Sequence, residues 1–126
     1  MTHKITVVTP FFGASGYANH GRNLSNALSE AGADVIVDTQ KHNGWETEVN
    51  DREFAMLSRQ ESVKDRTMIM IAQPQFWRLG IGENPGKFIG FLVWEGNVIP
   101  KYWLQYLLDP RVDQVWVPSV HTYEAV

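Results

Sequence analysis

Short apolar runs alternate with stretches of helical periodicity along this chain, and that alternation restricts its fold more than any other feature. The runs are residues 5–10 (ITVVTP), 33–39 (ADVIVDT), 67–72 (TMIMIA), 88–94 (FIGFLVW) and 112–117 (VDQVWV). They favour β-branched and aromatic residues, as strands do, and the run at 88–94 lacks any polar residue, as a strand buried on both sheet faces does. Between the first two runs a helical pattern covers 17–31, where Tyr17, Leu24, Ala27, Leu28 and Ala31 share one face. Gly21 on that face permits close approach to a sheet, and Gly32 is a suitable stop. Asp51 reads as the cap of a short helix turning Phe54, Ala55, Leu57 and Val63 inward. Pro100 opens another helix, carrying Tyr102, Trp103, Tyr106 and Leu107, and Asp109-Pro110 ends it. Segments 41–50 and 73–86 read as loops. The pattern predicts one Rossmann-like α/β domain over residues 1–126, an open parallel sheet with helices on both faces. The expected strand order is 3-2-1-4-5, which sets a ligand crevice between the first and fourth strands.

Composition removes several function classes. The formal net charge is -3 and no Lys/Arg cluster stands out, so the chain has no electrostatic footprint for nucleic acid. It contains no cysteine, which excludes disulfides, thiolate nucleophiles and cysteine-ligated metals. The longest apolar runs are far shorter than the roughly 20 residues of a membrane span. The N-terminus leads straight into a strand without a signal-peptide pattern, so a cytoplasmic protein is expected. His3, His42 and His121 show no metal-ligand spacing, and no metal is expected.

The candidate chemistry lies where strands run out into loops. Gly13-Ala14-Ser15-Gly16 precedes the first helix beside the expected crevice, and its N–H groups suit a phosphate or carboxylate; a tight turn needing glycine for backbone reasons is the alternative. A nicotinamide fingerprint fits poorly, since GxGxxG is absent; only Asp38, 22 residues after Gly16, favours it. His20 lies one turn into the helix, near that loop. Gln73-Pro74-Gln75 ends the third strand and offers amide contacts. Trp94-Glu95-Gly96-Asn97 ends the fourth strand. Glu95 there suits sugar hydroxyls and Trp94 an apolar sugar face; a turn before a helix, with Glu95 near its positive N-terminus, accounts for them as well. Trp103, Tyr106 and Trp116 read as core.

The stretch FLVWEGNVIPKYWLQYLLDPRVDQVWVPSVHTYEAV, with GYANHGRNLSNALSEAGADV before it, resembles the N-terminal domain of glycosyltransferase family 4 enzymes. The shared marks are the tryptophan-glutamate pair, a proline and tryptophan in the next helix, the strand end at Asp113 to Ser119, and the glycine loop with the helix after it. The resemblance is weakest over 41–66. It implies half of a GT-B architecture, in which sugar moves from a nucleotide-sugar donor to a glycan or lipid-type acceptor with retention. It places Gly13, Ala14, Ser15, Gly16 and Tyr17 near donor phosphates and the transferred sugar. His20, Gln73, Trp94 and Glu95 fall on the acceptor side. Many relatives carry a histidine near the end of the fourth strand, where this chain has Trp94-Glu95. The resemblance further implies a partner C-terminal donor-binding half not contained in these residues, no resident cofactor, and negligible transfer by the chain alone. An open sheet edge would then favour self-association, and peripheral membrane attachment is common in the family. A stand-alone Rossmann-like binding or assembly module is the alternative.

Overall fold

Five short parallel strands form one sheet: β1 (Lys4–Val8), β2 (Asp34–Asp38), β3 (Thr67–Ile71), β4 (Lys87–Phe91) and β5 (Gln114–Trp116). The computed structural model describes residues 3–10, 16–39, 49–92 and 100–117. The expected α/β Rossmann-like open sheet is present. The order is not the expected one: the strands lie β2-β1-β3-β4-β5, so β3 pairs with β1 and not with the outer side of β2.

Burial and charge explain the difference. β3 (TMIMI) is buried over four consecutive residues, a pattern that both faces of a central strand satisfy. β2 (DVIVD) carries an aspartate at each end, as edge strands do, and α2 (Asp51–Ser58) packs against it. A buried arginine then fixes the arrangement. Arg66, 1% exposed, directly precedes β3. Its Nε donates to Thr6 Oγ1 at 2.9 Å, and one terminal nitrogen donates to the carbonyls of Ile5 at 2.8 Å and Asp34 at 2.7 Å. The other donates to Asp34 Oδ2 at 3.2 Å. One side chain from the start of β3 thus reaches across β1 to β2.

Helices cover both faces. On one, Val7, Val35, Val37, Ile69, Ile71, Ile89 and Phe91 meet Met56 of α2 and Tyr17, Leu24 and Leu28 of α1 (Gly16–Glu30). On the other, Val8, Met68, Met70 and Phe88 meet Trp77 and Ile81 of α3 (Trp77–Ile81) and Trp103, which leads into α4 (Leu104–Leu107). Helix α3 lies in a segment whose sequence reads as a loop. It is five residues long, holds Gly80 and follows the 3-10 turn Pro74–Phe76, so it has too little length for periodicity to show. Asn50, one residue before the expected Asp51, caps α2 in a capping box with Glu53. Gly32, at φ 100°, ends α1 as expected.

Two outcomes test the arginine network. Arg66→Ala strands Thr6 Oγ1, two carbonyls and part of Asp34 in a buried place, and should lower unfolding free energy by about 3–5 kcal/mol in urea titrations. Arg59 pairs with Asp34 and Glu61 but is 41% exposed at its side chain, so Arg59→Ala should cost no more than about 1 kcal/mol. Equal losses would refute the clamp.

Asp34 also sets an acid limb. Hydrogen bonding from Arg59, then from Arg66, holds its carboxyl down at about 2 against an ordinary 3.8. The unfolded chain therefore binds the proton more readily. The stabilisation is complete above about pH 4 and is lost as pH falls towards 2. Asp34→Asn should flatten stability across that window, as read from urea midpoints at stepped pH.

Candidate functional site

In a sheet of this order the chain runs one way from β1 to β2 and the other way from β1 to β3 onwards. The reversal falls between β1 and β3, and open α/β sheets take ligands outside the carboxyl ends of the strands at such a point. The expected position between the first and fourth strands is thereby corrected by one strand, which brings Gln73, just beyond β3, to the reversal itself.

Two local devices build the site. Residues before proline are driven to extended backbone, and Gln73 (φ -63°, ψ 144°) ends the β3 segment ahead of Pro74. The turn is tied down by Phe76 N–H to the Gln73 carbonyl at 3.0 Å and by the Trp77 indole N–H to the Ala72 carbonyl at 3.0 Å. On the other side, Gly21 lets α1 settle onto the end of β1. A Cβ there would stand 2.2 Å from Thr9 Oγ1 and 2.9 Å from the Pro10 carbonyl. Thr9 Oγ1 itself donates to the Pro10 carbonyl at 2.9 Å. That close approach carries Tyr17 and His20, on the first turns of α1, towards the reversal.

The side chains meet there. Tyr17 hydrogen-bonds Gln73, and Gln75 Nε2 donates to Gln73 Oε1 at 2.6 Å. Burial pushes the Tyr17 phenol up, and the hydrogen bond with Gln73 pulls it partly back. Gln75 Oε1 is buried without a hydrogen-bond partner, an acceptor left for a donor. The His20 ring lies 5.8 Å from that of Phe91 at the end of β4. The result is a phenol, two carboxamides and an imidazole over one end of the sheet.

Of the residues expected to approach a ligand, Tyr17 and Gln73 are therefore in contact, and His20 stands on the same helix against β4. Gly16 is the first residue of α1. Gly13, Ala14, Ser15, Trp94 and Glu95 lie outside the described residues. Gln75, read with Gln73 as a source of amide contacts, belongs to the group as well, and so does Phe91, which the sequence did not single out. Phe91 offered no signal, because it reads as strand core. Trp103 is core as expected, and Trp116 packs against the opposite cluster.

A cavity of about 480 Å³ lies elsewhere, between β2 and the 59–63 crossover, lined by residues that include Thr6, Ile36, Asp38, Arg59 and Glu83. Burial, then the nearby Asp38 charge, raises the Glu83 carboxyl. Arg59 is already engaged there with Asp34 and Glu61. The reversal between β1 and β3 is the better site, because strand ends, pre-proline turn and helix start converge on it. Among the described residues no group of three His, Asp or Glu side chains is placed to hold a metal ion, and no helix is long and apolar enough to cross a membrane.

Fold and site together describe an open-sheet α/β protein with neutral hydrogen-bonding groups at its strand reversal. Comparison with protein-family models, with curated proteins and with solved structures finds no match to this chain.

The Tyr17–Gln73 contact is open to direct measurement. Gln73→Leu removes the interaction that lowers the phenol while leaving its burial, so tyrosinate absorbance should show the Tyr17 titration move further upward, identified by its loss in Tyr17→Phe. A downward move or none would separate the two residues.

Proposed function

We propose that the chain is the acceptor-side half of a retaining glycosyltransferase, moving a sugar from a nucleotide-sugar donor to a glycan or lipid-type acceptor in the cytoplasm. The observation that carries this reading is the hydrogen-bonded set Tyr17, Gln73 and Gln75 at the strand reversal. A carboxamide both donates and accepts, as a sugar hydroxyl does, so the two satisfy each other without a fixed charge. A desolvated anion would ask for cations in the same place. The resemblance of residues 91–126 and 16–35 to glycosyltransferase family 4 supports the same assignment. His20, Gln73, Trp94 and Glu95 then face the acceptor, and Gly13, Ala14, Ser15, Gly16 and Tyr17 the donor phosphates and transferred sugar.

Departure of a nucleoside diphosphate needs preorganised positive groups, which supply a large share of the rate in such transfers. The resemblance locates them in a second Rossmann-like half. This chain alone is accordingly expected to bind acceptor saccharide and to transfer negligibly. Amide chemical shifts of Tyr17, His20 and Gln73 should move on titration with neutral oligosaccharides. Gln73→Ala should weaken that binding about tenfold, the worth of roughly one hydrogen bond. Robust transfer by the chain alone, or saccharides that leave these amides unmoved, would overturn the reading. Saccharide binding without transfer when a donor-binding half is supplied would instead make the chain a binding module.

A further inference from the structure

The described helices leave a gap on one face of the sheet, over β1 and β2. Thr6 pairs with Ile36 and Val8 with Asp38, so Thr6, Ile36 and Asp38 share the face whose cluster contains Val8. Helices α1 and α2 join the cluster on the opposite face, and α3 lies against β3 and β4. The gap is the cavity of about 480 Å³, with Thr6 and Ile36 at its floor and the 59–63 crossover and Glu83 in its walls. That size suits a small molecule, whose sites run from roughly 300 to 1,000 Å³. Both walls are fixed. The Val63 carbonyl accepts from Arg66 N–H and from Gly86 N–H, each at 3.0 Å, which ties the crossover to the segment after α3. Glu83 N–H donates to the Gly80 carbonyl at 3.1 Å and Asn84 N–H to the Ile81 carbonyl at 3.0 Å. Asn84 then turns the chain away at φ 55°, a left-handed value that asparagine tolerates. The cavity is therefore formed before a ligand arrives.

Its chemistry is one-sided. Among the described lining residues, the carboxylates Asp38, Glu61 and Glu83 face a single guanidinium, that of Arg59. Arg59 is held by Asp34 and Glu61, and Arg66, which reaches Thr6 from behind, is held by Asp34 and two backbone carbonyls. Both guanidiniums are thus committed to the protein's own acceptors. The Glu83 side chain makes no hydrogen bond or ion pair among the described residues, while burial and the Asp38 charge oppose its ionisation. Ile36, Leu57 and Val63 add apolar surface to the same space. We propose that the cavity binds a primary alkylamine, its ammonium beside Glu83 and Asp38 and its methylene chain against Ile36, Leu57 and Val63. An ammonium relieves the repulsion between the two carboxylates and gives Glu83 a charge-assisted hydrogen bond. A phosphate-bearing ligand would meet the same carboxylates with like charge. A metal ion would ask for three ligating side chains placed together, which the described residues do not offer. The inference stands apart from the sugar-transfer reading, since none of its residues belongs to the strand-reversal site.

Amide chemical shifts test it, on titration with n-butylamine at neutral pH and with n-butanol as its uncharged counterpart. Shifts should centre on Thr6, Ile36, Asp38 and Glu83. The alcohol should bind at least about tenfold more weakly, the worth of one charge-assisted hydrogen bond. Glu83→Gln should lose about tenfold in affinity for the amine and keep its thermal midpoint, because that side chain holds no contact of the fold. Glu30→Gln, at the exposed end of α1 and outside the cavity, should bind like the parent. Equal losses in the two variants would reduce the effect to the general acidity of the chain and overturn the proposal. So would n-butanol binding as tightly as the amine, or shifts that miss the cavity. Adenosine moving these amides while the amine leaves them still would overturn it too, since that assigns the cavity to a nucleoside.

Discussion

A guanidinium sealed at the amino-terminal ends of three neighbouring strands is the constraint on which the sheet depends. Removing Arg66 from water costs several kcal/mol, and only the full set of partners offsets it: Thr6 Oγ1, the carbonyls of Ile5 and Asp34, and the Asp34 carboxylate. Those partners belong to β1 and β2 while Arg66 leads into β3, so the set exists only when the order is β2-β1-β3. It also selects register. Strands alternate their side chains between faces, and a slip of one residue would carry Thr6 Oγ1 to the opposite face. The same segment extends the hold to β4, because Gly86 N–H reaches the Val63 carbonyl and Lys87 N–H the Arg66 carbonyl.

Stability and recognition are thereby placed at opposite ends of the sheet. The charged network of Asp34, Arg59, Glu61 and Arg66 sits where the strands begin. The neutral network of Tyr17, Gln73 and Gln75 sits where they end. Parallel strands make this division natural, since every crossover returns the chain to the same end and every strand delivers its next loop to the other. The close fit of Gly21 against Thr9 shows how packing serves the second end: it sets the height of α1, and with it the reach of Tyr17 and His20.

What the residues disclosed in advance follows from how local each signal is. All five strands, α1, its glycine stop and the existence of the short helix after residue 50 could be read directly, because apolar alternation and capping chemistry act within a few residues. That helix turns Met56 inward, while Phe54 and Ala55, expected there, are exposed. Strand order could not, since it rests on a contact between Arg66 and Asp34 that spans 32 residues. Its trace was nonetheless present in the uncharged TMIMI of β3 beside the aspartate-flanked DVIVD of β2. Helix α3 escaped because Pro74, Gly80 and Gly82 punctuate it; the core value of Trp77 and Ile81 comes from tertiary packing. At the site, Gln73 and Tyr17 were legible as loop-end residues. Their mutual contact was not, because it follows from β3 lying beside β1.

The apolar surface of α3 and α4 has a cause in the same economy of length. Helix α1 spans fifteen residues and can divide a broad inward face from a polar outward one. Helices α3 and α4, at five and four residues, each close little more than a turn. Two tryptophans, Trp77 and Trp103, fill the space beneath them almost completely. Leu104 and Leu108 are then left with no core to enter, and a polar residue at either place would satisfy the fold as well, since exposed positions of this kind tolerate exchange within about half a kcal/mol. Folding therefore supplies no reason for leucine there.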